Sequence, residues 1–464
     1  MKKILLNLIL IGTLSIFGLS NNVKAQTIAC GTDYTLVICN NNSVMAMGNN
    51  SDGQLGNGGG GYSFVPVNVS GLAGIIAIGG SGAHSMALKN DKTVWTWGDG
   101  YSGALGNGTF TASPVPVLVT GLSNIKAIAT GGYFCLALNN DGTIKAWGHN
   151  GFGQLGIGTI NNSNIPVLVN SLTNITSIKG GYQHALALKS DGTVYGWGTN
   201  GYGQLGIGSN VSSVTTPVQI TALTGIIAIA AGSIHSLFLK NDGTVWASGY
   251  NYDGQLGNDT TTDVNTPVQV KGLSNIIDIA AGRNVSIALK SDGTVWAWGK
   301  NADNELGNGT TTNSNVPVKV SILTGITAIA CGESTSLALK NDGAVWVWGK
   351  NNYGQYGTGG YFNSSIPVQP SGLCQGLLGV NDISEQSNVS VFPNPVNGVF
   401  SVLIKSPANN ARLEIYDSMG ALIYQQNKVS IHNNINLNNE ANGLYFIRVM
   451  SDNKILAIKK LIKE

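Results

Sequence analysis

Histidine is the side chain best suited to acid–base or metal chemistry near neutral pH, and this chain has five: His84, His149, His184, His235 and His432. Three of them, His84, His184 and His235, fall at one position of a repeating pattern, a position held elsewhere by Tyr34, Phe134, Val285 and Thr335. If that position faces a surface, the column Tyr34, His84, His184 and His235 is a candidate ring for a metal or another ligand. If it faces inward, the same residues hydrogen-bond between neighbouring units. The tolerance of Val285 and Phe134 favours the inward reading, since repeat columns commonly serve packing.

A catalytic reading needs partners that the sequence does not supply in recognisable form. There is no GxSxG elbow, and no Ser-His-Asp order can be assigned. The five cysteines, Cys30, Cys39, Cys135, Cys331 and Cys374, form no CxxC pair, which argues against zinc. Their odd number leaves at least one unpaired or intermolecular, and Cys135 and Cys331 read as small buried apolar residues. Asn258-Asp259 and Asp263 carry oxygens that would suit calcium, but the EF-hand spacing is missing and the Asp-Gly pairs already have a turn role. Trp95, Trp97, Trp296, Trp298, Trp346 and Trp348 would suit a carbohydrate platform, yet their fixed place in one strand points to packing. The expectation is no catalytic residue, no cofactor and no metal: a protein that is not an enzyme.

The elements that position these residues follow from an internal period of 50 residues. Glycines, mostly after tryptophan, recur at Gly48, Gly98, Gly148, Gly198, Gly249, Gly299 and Gly349, and prolines keep step at Pro66, Pro116, Pro166, Pro217, Pro267, Pro317 and Pro367. One extra residue falls between Gly206 and Pro217. Each unit reads as a short apolar strand (125–129), a glycine, a second strand (136–138), an Asp-Gly turn such as Asp141-Gly142, a third strand (294–298), a Gly-Gln-Leu-Gly loop (53–56, 153–156, 203–206, 254–257) and a Pro-Val strand. Asp-Gly predicts two-residue hairpins with both central residues at positive φ. Glycine supplies 64 of 464 residues, but 42% hydrophobic residues and nine tryptophans argue for many tight turns rather than disorder. No stretch reads as a long amphipathic helix. The fold class is all-β, and seven units of about four strands make a closed seven-bladed β-propeller.

These motifs resemble the regulator of chromosome condensation repeat family. The segment Ile229-Ala230-Ala231-Gly232-Ser233-Ile234-His235-Ser236-Leu237-Phe238-Leu239 fits that family's signature throughout, and the Trp-Gly and Gly-Gln-Leu-Gly marks fit as well. The resemblance covers residues 27–378. The chain enters the repeat at a strand near 27–30 and leaves after Pro367-Val368, so the last strand is expected to complete the first blade. Cys30 and Cys374 then lie near the seam as a candidate disulfide.

Both ends read as export signals. Lys2 and Lys3 precede an apolar core at 4–19, and Val23-Lys24-Ala25 has cleavage-site spacing, so residues 1–25 read as a signal peptide, with no membrane span after its removal. Residues 26–378 are then the propeller, 379–390 a linker and 391–464 a small β-sandwich with strands at 400–404, 412–416, 444–449 and 455–462. Pro393, Asn394 and Pro395 open this tail, Gly420 marks a turn, Gly443 begins a later strand, and Lys459 and Lys460 precede its end. In that order they resemble the type A C-terminal sorting domain of the Bacteroidetes type IX secretion system. The resemblance implies contact with that machinery and a destination in the medium or on the outer-membrane surface. The competing reading is an ordinary immunoglobulin-like binding module.

A net charge of +2 gives no basic face for nucleic acid. Guanine-nucleotide exchange, as in the family's nuclear member, is set aside because the chain carries an export signal, lacks a basic N-terminal arm and keeps a period too constant for an inserted wedge. What remains is an extracellular module that binds a protein or a glycan. The alternative is an exported enzyme or enzyme regulator acting through one propeller face.

Overall fold

Short runs of β-branched and large apolar residues between glycine turns leave each repeat no structure but a meander of antiparallel strands. In the computed structural model, which describes residues 28–39, 42–374, 389–392, 396–404, 410–417, 421–451 and 454–463, seven such meanders form seven four-stranded sheets. The blades span 28–68, 75–118, 125–168, 175–219, 226–269, 276–319 and 326–368. The first strands touch one another all the way round, blade 7 meeting blade 1, so they line the axis of a closed ring. The fourth strands, of Ser-x-x-Pro-Val type, are half exposed at the rim.

The glycine that ends each third strand has a steric reason. Gly98 sits at φ 96°, and a Cβ there would lie 2.4 Å from the carbonyl oxygen of Ala83. The pairing of third and fourth strands slips at this point, between Thr96 and Gly98 in blade 2. The slip is a bulge of the kind that left-handed glycine permits.

Two expectations about backbone geometry are corrected. In the Asp-Gly turns only glycine is left-handed (Gly142, φ 82°). Asp141 instead folds its carboxylate forward, and Oδ1 accepts from the N–H (2.9 Å) and the hydroxyl (2.7 Å) of Thr143. An Asp side chain that satisfies the backbone two residues on is a turn device in its own right. The ring, moreover, is not closed by a shared blade. The strand Ser364–Val368 pairs with Val345–Gly349 inside blade 7. Blade 1 already owns four strands, from Ile28–Cys30 at the axis to Ser63–Asn68 at the rim, so no place is vacant.

The proposed pairing of Cys30 with Cys374 is also corrected. Cys30, Cys135 and Cys331 are free thiols, whereas Cys39 and Cys374 are disulfide-bonded. Cys30 ends the innermost strand of blade 1 and is buried at the axis, while Cys39 follows the second strand. Cys374 comes six positions after the last strand of blade 7.

The chain divides into two compact units between Leu373 and Cys374. In the second, one sheet holds Val389–Phe392, Val399–Ile404 and His432–Asn436, and the other holds Leu422–Asn427, Arg412–Asp417, Gly443–Ser451 and Lys454–Lys463. Val402, Ile404 and Ile435 of the first meet Leu413, Ile415, Ile447 and Val449 of the second in one core, which makes a small sandwich. The sequence reading missed three of its strands: 389–392, 422–427 and 432–436. Two of these, Leu-Ile-Tyr-Gln-Gln-Asn and His-Asn-Asn-Ile-Asn, are too polar to register as apolar runs. Among the described residues, no helix is long and apolar enough to cross a membrane. Residues 1–25 and most of 379–390 lie outside the described residues.

Candidate functional site

The histidine column faces inward. His84, His184, His235 and Tyr34 are fully buried, so they form no ligand ring on a surface. Each reaches to the next blade, to the residue one place further along the repeat. His184 Nε2 lies 3.0 Å from Ser236 Oγ, His235 Nε2 lies 2.9 Å from Ser286 Oγ, and His84 Nε2 lies 3.2 Å from Cys135 Sγ. Tyr34 Oη accepts from Ser85 Oγ at 3.0 Å.

The serine then points back. Ser236 Oγ donates to the carbonyl of Gln204 (2.7 Å), and Ser286 Oγ donates to that of Gln255 (2.8 Å). With its one proton committed there, serine can only accept from histidine, so Nε2 carries the imidazole proton. The remaining nitrogens, Nδ1 of His84, His184 and His235, have no hydrogen-bond partner. Burial holds His84 and His184 down at about 4, and His235 at about 3 with help from nearby His184. These imidazoles are neutral structural links. At Phe134 the partner is apolar as well, Ala185 lying in the same core, whereas Val285 is followed in the next blade by Ser336.

Five loop carbonyls of this column receive tryptophan, while Gln204 accepts from Ser248, which stands in the tryptophan column. Trp97, Trp147, Trp197, Trp298 and Trp348 are fully buried, and each indole N–H donates across a joint, to Gln54, Ala104, Gln154, Gln255 and Glu305 at 2.8–2.9 Å. The last glycine of Gly-Gln-Leu-Gly makes room for that ring: a Cβ on Gly257 would sit 2.7 Å from Trp298 Nε1. Trp95 and Trp296 are half buried with Lys89 and Lys290 over their rings at 5.9 and 5.4 Å. All six tryptophans singled out from the sequence thus lie in third strands, none of them fully exposed.

The axis is narrowed by backbone. Turns between first and second strands hydrogen-bond to their neighbours: Thr32 N–H to Gly82 O, Gly132 N–H to Gly181 O, Tyr182 N–H to Ser233 O, Ser233 N–H to Gly282 O and Arg283 N–H to Glu333 O. Glycines make this approach possible, since a Cβ on Gly282 would lie 2.2 Å from Gly332 O. All seven blades contribute to the lining of the funnel that remains.

Antiparallel order puts those turns and the loops between third and fourth strands at one end of every blade. On this face the loops present aromatic rings. Tyr101 (73% exposed), Tyr252 (74%), Tyr62 (54%), Tyr202 (46%) and Phe152 (39%) stand on it. Several meet across blades: Tyr133 with Tyr182 (5.8 Å between centroids), Tyr62 with Tyr353 (4.9 Å) and Tyr202 with Tyr250 (5.2 Å). Beneath them every loop except that of blade 2, where Gly100 holds the place, is tied by a buried asparagine. Asn251 Oδ1 accepts from Leu256 N–H, and its Nδ2 donates to Thr260 O and Thr262 O. The sequence reading passed over this face. Its signal was a large ring at two loop positions, one held in other repeats by Ser51, Gly151, Gly201, Ala302 or Asn352 and the other by Asp52, Ser102, Asp253 or Asp303.

Asn258 and Asp259, weighed for calcium, are used locally. Asn258 Oδ1 accepts from Thr260, and Asp259 pairs with Lys271 at 3.0 Å. Among the described residues, no three His, Cys, Asp or Glu side chains are grouped to hold a metal. Of the sorting residues, Pro393, Asn394, Pro395 and Gly420 lie outside the described residues. Gly443 begins the strand Gly443–Ser451 and pairs with Lys463, while Lys459 and Lys460 stand opposite Ile447 and Phe446.

Comparison with known proteins places these features. Residues 13–282 match the RCC1-like domain, and 292–339 and 342–393 match the regulator of chromosome condensation (RCC1) repeat, as do 276–305 and 326–355 in a second form. Residues 390–464 match the secretion system C-terminal sorting domain. Among solved structures, Prp20p from Saccharomyces cerevisiae, described together with its binding to Gsp1p and histones, is 23% identical with a TM-score of 0.65, covering 78% of this chain and 90% of its own. Human WBSCR16 is 24% identical with a TM-score of 0.61, covering 68% and 86%. These likenesses are of fold. No curated protein matches the chain significantly.

Proposed function

This chain belongs to the family of RCC1-like domains, and we propose that it uses its propeller outside the cell as a binding module for a protein or glycan partner, without catalysis. Its C-terminal sorting domain directs it through the type IX secretion system to the cell surface or exterior. One observation carries the binding reading: exposed aromatic rings are gathered on one face, at loop positions that other copies fill with glycine, serine, alanine, asparagine or aspartate. Exposed rings cost solvation, and rigid aromatic side chains on a fixed scaffold are common anchors for partners. The column Tyr34, His84, His184 and His235 is, by contrast, buried in joints.

The test is a pull-down with the mature secreted protein against proteins and glycans of its surroundings, beside a variant carrying Tyr101→Ser, Phe152→Ser and Tyr252→Ser. Capture by the wild type that the variant loses is the expected result. Capture indifferent to the variant, or turnover of a captured molecule, would overturn it.

A further inference from the structure

The face is not uniform, and the junction of blades 4 and 5 stands out. Here the loop at 201–210 lies against the start of the strand Val264–Gln269, and a cleft of about 200 Å3 opens between them, lined by Gly201, Tyr202, Asn210, Asp263, Val264 and Asn265. Tyr202 meets Tyr250 edge to face at 5.2 Å, and Tyr250 lies nearly parallel to Tyr252 at 6.5 Å, so three rings run from the cleft along the face.

The other blades serve as internal controls for what the fold itself requires. Asp263 Oδ1 accepts from the N–H of Asn251 at 2.8 Å, a bond that closes the loop. Blades 3, 6 and 7 make the same bond with an amide: Asn162 to Asn150, Asn313 to Asn301 and Asn363 to Asn351, each at 2.8 Å. An amide therefore suffices for folding, and the carboxylate at 263 adds a second acceptor oxygen that the loop does not use. The rings are equally unrequired. The place of Tyr252 is held elsewhere by Ser51, Gly151 and Ala302, and that of Tyr250 by Asn49, Thr199 and Lys300.

We propose that this cleft is a binding site for a neutral oligosaccharide, with Tyr202 stacking on a sugar ring and Asp263, Asn210 and Asn265 bonding its hydroxyls. The site rests on the binding reading given above. A sugar presents an apolar C–H face and a rim of hydroxyls, which is what rings beside a carboxylate and two amides complement. No lysine, arginine or histidine lines the cleft, so an acidic ligand would meet the Asp263 charge without a counter-charge. At about 200 Å3 the cleft is also smaller than the ~300–1,000 Å3 of sites that enclose a drug-sized ligand. It takes one ring of a longer chain, whose remainder lies along Tyr250 and Tyr252.

The experiment uses the full secreted chain on an array of neutral and acidic oligosaccharides, followed by titration calorimetry with the best neutral one. Asp263→Asn and Tyr202→Ser are the variants, and each should melt as the wild type does, since asparagine and serine (Ser102) stand at these places in other blades. Neutral sugar binding weakened about tenfold or more by either change is the expected result. Sugar binding that both variants keep, or a preference for acidic sugars, overturns this site while leaving a binding module. Capture of proteins alone does the same. Binding of neither sugars nor surface proteins overturns both readings.

Discussion

An ordinary joint and the seam between blades 7 and 1 do the same work with different parts. At the joint of blades 5 and 6, the Gln255 carbonyl accepts from Trp298 and Ser286, and Ser286 accepts from His235. At the seam, Met47 stands in the tryptophan column and offers no N–H, so Gln355 O accepts from Thr35 Oγ1 alone (3.0 Å). Bulk is restored from the other side: Tyr356 replaces the usual leucine and is buried, with its hydroxyl bonded to Gly349 O and Ser364 N–H. Charge is added too, because Asp33 accepts from Lys350 Nζ and Gln355 Nε2 at 3.1 Å each. Adjacent blades are held near each other by a short connection, whereas the ends of a propeller must find each other across the whole chain. Blade 1 also carries Cys39, a disulfide-bonded cysteine that follows its second strand.

Acid should separate the two kinds of joint most strongly. Burial holds the three joint histidines at about 3 to 4, below the ~6.5 of an unfolded histidine, so between those values the unfolded chain binds more protons. Their contribution is complete above pH 6.5 and is lost as the pH falls toward 4, by up to about 1.4 kcal/mol per pH unit for each histidine. Replacing His235→Phe together with Ser286→Ala rebuilds the Phe134–Ala185 joint and should flatten the fall in melting temperature across this range. An unchanged pH profile would mean that the column is not what titrates.

Truncating the tryptophan comes next. Trp298→Ala should cost about 3–5 kcal/mol in denaturant unfolding, as large buried rings do, and Trp298→Met, which imports the seam's residue, should cost less. Equal costs would show that the seam's methionine gains nothing from its shape. The smallest expected effect is that of the bridge. Reduction, or Cys39→Ser, should remove about 2–4 kcal/mol. No loss would mean that the disulfide adds nothing to the stability of the folded chain.

Much of the fold was legible because it is written seven times. A Trp-Gly mark that recurs every 50 residues fixes strands, turns and blade number together, and one deviant copy such as Ser248-Gly249 does not disturb the count. The tail was harder to read since it occurs once and its polar edge strands carry no period. The candidate site was not legible for a related reason. Tyr202 and Tyr250 are loop residues outside the shared marks of the repeat, which a search for common columns passes over, and Asp263 is legible only as a loop oxygen suited to calcium.

The sequence by itself determined the seven four-stranded units, their glycine turns and the export tail, because these depend on neighbours a few residues away and on repetition. Only the tertiary structure decided that the His84, His184 and His235 column points inward, since the partner of each lies about 50 residues on, in the next blade. It alone decided that Cys39 and Cys374 are disulfide-bonded while Cys30 is a free thiol buried at the axis, and that Thr35 meets Gln355 across 320 residues. Alternation along a strand gives two faces but not which one meets a neighbour, and ring closure sets which distant residues share a joint.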